Sequence, residues 1–187
     1  MTLPLGGRRA LVTGAGVGIG RATALRLAVD GASVACLDID GTAATAVAEK
    51  IIAAGGKAIA CQADVSSEQA VAEAFSAAAR SLGGLDCLVA NAAVQLVGED
   101  APVDRLDLSV WNRTLAVNLT GVFLTCKYGI RALLANGSGA VACIASGTGL
   151  YGLAPGFDAY SASKGGVAAL VRVMAADYAP SGIRVNG

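Results

Sequence analysis

Apolar residues along the chain fall into short, nearly unbroken runs and not into alternating ones. Arg9–Thr13, Ser33–Asp38, Lys57–Gln62, Asp86–Ala90 and Gly139–Ala145 are such runs. Apolar residues at successive positions mark a strand covered on both faces, as in parallel sheets. Ala- and Leu-rich stretches of helical length separate them: Ile19–Asp30, Gly41–Ala54, Glu68–Leu82 and a long one from Asp107 to Ala135, with Asp158–Ala179 after the fifth run. Asp30-Gly31, Gly55-Gly56, Gly83-Gly84 and Asn136-Gly137 each fall just past a helix, where a left-handed residue can end it. This alternation predicts an α/β protein with a doubly wound parallel sheet between two helical layers, αβα. No linker, low-complexity tract or repeat longer than one βα unit interrupts it, so one domain is expected over residues 1–187.

Composition narrows the class. With 187 residues, 55% apolar and 15% charged, the chain has ample surface to bury and is not disordered. Fourteen basic side chains balance fourteen acidic ones, so neither nucleic acid nor an anionic membrane is an expected partner. No apolar run approaches the roughly 20 residues of a membrane span. The opening MTLPLGGRRALVTG lacks the basic region, apolar stretch and cleavage site of a signal peptide, and a cytoplasmic protein is expected. There are five cysteines and no CxxC; Cys36, Cys61, Cys87 and Cys143 lie inside the strand-like runs. They are expected as small buried hydrophobes in a reducing compartment, not as disulfides or metal ligands. There is no histidine, which removes histidine-based catalysis and most zinc sites, so acid–base chemistry must use another side chain.

Directly after the first strand runs Thr13-Gly-Ala-Gly-Val-Gly-Ile-Gly20, leading into a helix with Ile19, Ala22, Leu25 and Val29 on or near one side. Gly14, Gly18 and Gly20 allow a sharp turn, close approach to a pyrophosphate and tight helix–strand packing. The helix start adds free N–H groups and the positive end of its dipole. The spacing is GxxxGxG, not the generic GxGxxG, and a glycine turn alone also serves as a tight βα connection. Asp38 ends the second strand, 24 residues after Gly14, where a carboxylate can accept hydrogen bonds from an adenosine ribose. Together these point to a Rossmann-like dinucleotide-binding fold. The same carboxylate would repel a 2′-phosphate, and Val17 and Ile39 supply no compensating cation, so NAD is expected over NADP.

Tyr160-Ser-Ala-Ser-Lys164 lies early in a predicted helix, where an i, i+4 spacing puts phenol and ammonium on one face. A tyrosine hydroxyl is a poor base near neutrality, and a neighbouring lysine with an oxidised nicotinamide favours its phenolate. Ser146 stands fourteen residues earlier, at the carboxyl end of the fifth strand, where open α/β sheets bind ligands.

Over its whole length the sequence resembles the short-chain dehydrogenase/reductase family. Thr13–Gly20 matches that family's TGxxxGxG turn, with Gly14, Gly18, Ile19 and Gly20 at the cofactor. Asp64-Val65 resembles its adenine-contacting pair. Asn91 matches its Asn-Asn-Ala-Gly element in part, Ala90 replacing the first Asn and Ala93 the Gly. The resemblance implies that this element braces the central strand and backs the cofactor. It also implies a catalytic set: Tyr160 as general acid/base, Ser146 polarising the substrate oxygen, Lys164 tuning Tyr160 and binding the nicotinamide ribose, and Asn118 holding a relay water. The expected reaction is direct hydride transfer between NAD(H) and a secondary alcohol or ketone, the protein supplying position and electrostatics.

The chain stops at Gly187, inside what should be the sixth strand. The family's usual continuation through a Pro-Gly turn, a substrate lid and a last strand does not follow. A C-terminally incomplete fragment of a longer enzyme is expected, with a non-catalytic nucleotide-binding module as the alternative. The apolar loops around Leu150, Tyr151 and Leu153, and around Gln95, Leu96 and Val97, should border a pocket for a substrate without strong charge. Trp111 is expected in the core. The small-residue helix after Tyr160, by resemblance, pairs with a second copy, giving a homo-oligomer.

Overall fold

A computed structural model describes residues 3–187. Its six strands are β1 (Arg9–Thr13), β2 (Ser33–Asp38), β3 (Lys57–Gln62), β4 (Cys87–Ala90), β5 (Gly139–Cys143) and β6 (Ile183–Asn186). All neighbouring strands pair in parallel, in the order β3-β2-β1-β4-β5-β6. Leu11 of β1 stands beside Ala35 on one side and Leu88 on the other. Strand order therefore reverses at β1, and a crevice for ligands opens beyond the carboxyl ends of β1 and β4.

The helices are α1 (Gly18–Val29), α2 (Gly41–Ala53), α3 (Glu68–Leu82), α4 (Leu108–Leu115), α5 (Gly121–Ala135), α6 (Thr148–Tyr151) and α7 (Asp158–Tyr178). Successive strand residues feed opposite layers. Leu11, Leu37, Leu88 and Val141 pack with Phe75, Ile130 and Val167 of α3, α5 and α7. Val12, Val34 and Cys36 pack with Ala24, Val47 and Ile51 of α1 and α2. Each fully buried aliphatic side chain contributes roughly 1.5–3 kcal/mol, so this double lining holds the central strands. The fold is the Rossmann-like α/β sheet that the apolar runs predict.

Four expectations need correction. Burial on both faces holds for β1 and β2 but fails at β3, where Lys57, Ala60 and Gln62 are exposed, and at β5, where Ala142 is exposed. The α1–α2 core includes no residue of β5 or β6. The buried residues of α1 are Gly20 and Ala24, while Ile19 is 64% and Val29 69% exposed. Apolar residues surround that helix, so its pattern cannot fix its rotation. The stretch from Asp107 to Ala135 is not one helix: α4 and α5 meet through a π turn over Ala116–Thr120 that contains Asn118. Such turns favour functional sites. Finally, β5 ends at Cys143, so Ser146 sits in a loop ahead of the single turn α6.

Trp111 is half-buried. Cys36, Cys126 and Cys143 are buried, Cys61 and Cys87 half-buried, and all five are free thiols. Burial pushes the Cys36 thiol up to about 12, which keeps it an unreactive core residue.

Candidate active site

The turn after β1 is shaped by what cannot fit there. Gly14 has φ of 64°, and a Cβ on it would lie 2.9 Å from the Asn91 amide nitrogen. A Cβ on Gly20 would run into the Gly14 carbonyl oxygen. Asn91 locks the turn from β4, its Nδ2 donating to the carbonyls of Thr13 at 2.9 Å and Gly14 at 3.2 Å. The Thr13 hydroxyl in turn accepts the N–H groups of Asn91 and Ala92. The ends of β1 and β4 are thereby fixed together at the crevice.

Asp38 is 9% exposed. Its Oδ2 accepts the Gly16 N–H at 2.8 Å and its Oδ1 that of Asp40 at 3.0 Å, so the carboxylate braces the turn it overlooks. Gly16, absent from the motif, approaches closely enough that an added Cβ would lie 2.9 Å from Asp38 Oδ2. Helices α2 and α3 are capped by the side chains of Asp40 and Ser67, whereas α1 has no side-chain cap. Its first N–H groups, at residues that line the cavity, are left for a ligand.

A cavity of about 830 Å³ runs along this cradle, lined by Gly14, Gly18, Ile19, Asp38, Asp64, Val65 and Asn91 among others. Gly20 does not line it; it packs inside the turn. Asp64 accepts the N–H and hydroxyl of Ser66, and Val65 packs against Gly121 of α5. Arg113 and Val117 also line the cavity, positions that no motif flagged. The volume is of the order that organic ligands occupy, about 300–1,000 Å³. Backbone donors, glycine clearance and the Asp38 carboxylate in the lining all suit a dinucleotide.

Of the expected catalytic residues, Asn118 is bonded to the cavity residue Val94, and Ser163 ties it to the first turns of α7. Lys164 is 1% exposed, and its Nζ donates to the Ile144 carbonyl at 2.6 Å and lies 5.8 Å from the centre of the Tyr160 ring. Burial holds the Lys164 ammonium below its usual value, opposed by the Cys143 thiol. Ser146, two residues beyond Ile144, accepts from the Thr148 N–H at 3.3 Å and hydroxyl at 3.0 Å. A Cβ on Gly149 would strike the backbone of Gly165, so two glycines let the Ser146 loop close directly onto α7. Asn118 is fully buried; its Oδ1 accepts from Val94 N–H at 2.7 Å, and its Nδ2 donates to Val94 C=O at 2.8 Å and to Ser163 Oγ at 3.2 Å. Val94 also lines the cavity, so it joins the two halves of the site. Ser163, missed by motif reasoning beside the neighbours it serves, donates to the Tyr160 carbonyl at 2.7 Å.

Fold and site together define an oxidoreductase that moves a hydride between a nicotinamide dinucleotide and a secondary alcohol or its ketone. The sequence pattern of the short chain dehydrogenase family matches residues 8–187, and the chain belongs to that family. It is 44% identical over 179 residues to cis-4-hydroxycyclohexanecarboxylate dehydrogenase of Sinomonas cyclohexanicum, covering 96% of this chain and 70% of that protein. It is 40% identical over 177 residues to cyclohexanol dehydrogenase of Acinetobacter sp. (strain SE19), covering 95% of this chain and 69% of that protein. A crystal structure of NAD+-bound xylitol dehydrogenase superposes with a TM-score of 0.93 at 38% identity, covering 98% of this chain and 69% of that one. Among the described residues no helix is long and apolar enough to cross a membrane.

Proposed function

We propose that the protein uses NAD rather than NADP and oxidises neutral secondary alcohols on six-membered carbon rings. The observation that carries the chemistry is the fully buried Lys164 ammonium, held by Ile144 and set beside the Tyr160 ring. A lysine accepts such desolvation where its charge has a task. NAD is favoured by Asp38, whose carboxylate lines the cavity and would meet a 2′-phosphate there with like charge. The bound nicotinamide supplies the hydride acceptor.

The chain's own residues supply the rest. Tyr160 takes the hydroxyl proton of the alcohol, and Ser146 hydrogen-bonds the same oxygen. Lys164 places positive charge where the phenol oxygen becomes negative. Both amide hydrogens of Asn118 are taken by Val94 and Ser163, so its side chain ties the cofactor wall to α7 and leaves only acceptor capacity for a relay water. Leu150, Tyr151 and Leu153, in and just after α6 and close in sequence to Ser146, are 52%, 75% and 68% exposed; as a rim of the substrate pocket they would suit a carbocycle better than a charged or sugar-like substrate. The ring alcohols named in two relatives agree with that rim. Exposed Phe123, Leu134 and Val173 on α5 and α7 support pairing with a second copy, which light scattering at micromolar concentration tests.

The experiment is NADH formation with a panel of cyclohexanol, a linear primary alcohol and xylitol, run with NAD and with NADP. Highest kcat/KM for cyclohexanol with NAD is expected. Preference for NADP would remove the cofactor assignment, and equal rates with xylitol the substrate class. Absence of turnover with every pair would leave a nucleotide-binding module.

A further inference from the structure

The helix that carries Tyr160 and Lys164 does not cap itself. Phe157 occupies the cap position of α7 and makes no side-chain cap bond, leaving the first-turn N–H groups without a local partner. They find one 59 and 60 residues away, in the loop between β4 and α4: Asp100 Oδ1 accepts the Ala159 N–H at 3.1 Å, and Oδ2 accepts the Tyr160 N–H at 3.0 Å. Asp100 is 9% exposed, and its Oδ1 also accepts the Ala101 N–H at 3.0 Å. The tie is reciprocal, because Asp158 of α7 accepts the Val103 N–H of the same loop at 2.9 Å. Upstream, the Asp100 N–H donates to the Leu96 carbonyl at 2.8 Å.

We infer that Asp100 is a positioning residue for the reaction: its carboxylate grips the Tyr160 main chain and locks the first turn of the catalytic helix to the loop bordering the substrate. A carboxylate accepting N–H groups at a helix start makes charge-assisted bonds and opposes the positive end of the dipole. A self-contained cap would hold α7 equally well but would leave it free to shift against the loop that contains Leu96 and Val97. Tyr160 must meet a substrate oxygen also bound by Ser146, which sits on a different loop. Misplacement by about 1 Å can cost about 10²-fold in such geometry. Asp104, four residues further along the same loop, has a 73% exposed side chain and, among the described residues, pairs with Arg105; it is the natural control.

The inference rests on the dehydrogenase reading, and its test separates the two. Asp100→Asn, Asp100→Ala and Asp104→Asn are compared in the full chain for kcat, KM for cyclohexanol, Kd for NAD and amide hydrogen exchange. Asp100→Asn, which keeps one acceptor oxygen, is expected to lower kcat about tenfold and Asp100→Ala about 10²-fold. KM and NAD Kd should stay within about twofold, and Asp104→Asn should match the parent. Exchange should quicken at residues 158–161 and stay unchanged at the glycine turn. A kcat within about twofold of the parent in both Asp100 variants, or NAD affinity falling in step with kcat, overturns the positioning role. A parent without turnover removes the activity reading, and exchange then decides alone: lost protection at Ala159 and Tyr160 in Asp100→Asn upholds the clamp, and unaltered protection overturns it.

Discussion

The two halves of the site are made of different material. The dinucleotide half is backbone: glycines whose missing Cβ atoms leave room, and uncapped N–H groups at the start of α1, with Asp38 and Asn91 bracing them from behind. The catalytic half is buried side chain: Lys164, Asn118 and Ser163, at 1%, 0% and 0% exposure, with Asn118 bonded to Ser163 and Lys164 to the Ile144 carbonyl. The first half should therefore be broken by adding atoms and the second by removing functional groups. Each kind of damage should leave the other half intact.

The sharpest test removes one oxygen. Tyr160→Phe keeps the ring and its packing beside Lys164, so kcat is expected to fall about 10³-fold while NAD Kd stays within about twofold. Fluorescence titration of NADH against steady-state rates reads both. Equal loss of the two would merge the halves that the geometry separates.

Lys164→Met, next in size, removes the charge and keeps the stem. Turnover should drop about 10²-fold, yet the protein should become no less stable, since an apolar isostere relieves a buried charge. The sign follows from burial, which holds the folded ammonium below the ordinary value of 10.5. The unfolded chain binds that proton more tightly, so below the lowered value the charge opposes folding in full. Its cost is relieved as pH climbs from the lowered value towards 10.5. Urea melts of parent and variant should thus differ most below the lowered value and converge in alkali. A difference that grows with pH would contradict the desolvated-lysine account.

Adding atoms to the other half gives the third effect. Gly20→Ala places a methyl against the Gly14 carbonyl and the Asn91 amide, and overpacking of this kind costs about 1–3 kcal/mol. NAD Kd should rise about tenfold or more as the turn opens, with kcat at saturating NAD within about threefold of the parent. A kcat that falls as far as the affinity would show that the cradle also sets the reacting geometry.

The same division explains what could be read from the chain alone. Glycine spacing, Asp38 and the Tyr160–Lys164 interval were legible because each is a local pattern with a fixed structural meaning. Local pattern was silent where a partner lies far off. Asp100 looks like any loop aspartate until α7 is brought to it. The break at Ala116–Thr120 shows no proline or glycine, because Asn118 is bonded to Val94, 24 residues upstream. The rotation of α1 is illegible for a related reason: with apolar residues on every side, contact of Gly20 with the turn decides which face is buried. Burial at the outer strands is equally illegible, since a sheet's own residues do not say whether a helix covers them.

The smallest effect on function lies at the opposite end of the sheet. Asp86, just before β4, binds the Arg9 main chain at 2.9 Å and its guanidinium at 2.7 Å, and accepts from Asn136 at 2.9 Å. The Arg9 guanidinium holds its carboxyl below the ordinary value of 3.8. A depressed carboxylate stabilises the fold above that ordinary value and loses its contribution as pH falls through the lowered one. Asp86→Asn removes the charge from this clamp and should cost about 2 kcal/mol at neutral pH. The deficit should shrink on acidification below pH 3.8, where the parent loses the same contribution. Because the crevice lies at the carboxyl ends of the strands, NAD Kd and kcat of the folded variant should match the parent. Urea melts at several pH values beside rate measurements check both statements. A fall in kcat without a fall in stability would mean that strain at the amino ends of β1 and β4 reaches the site through the sheet.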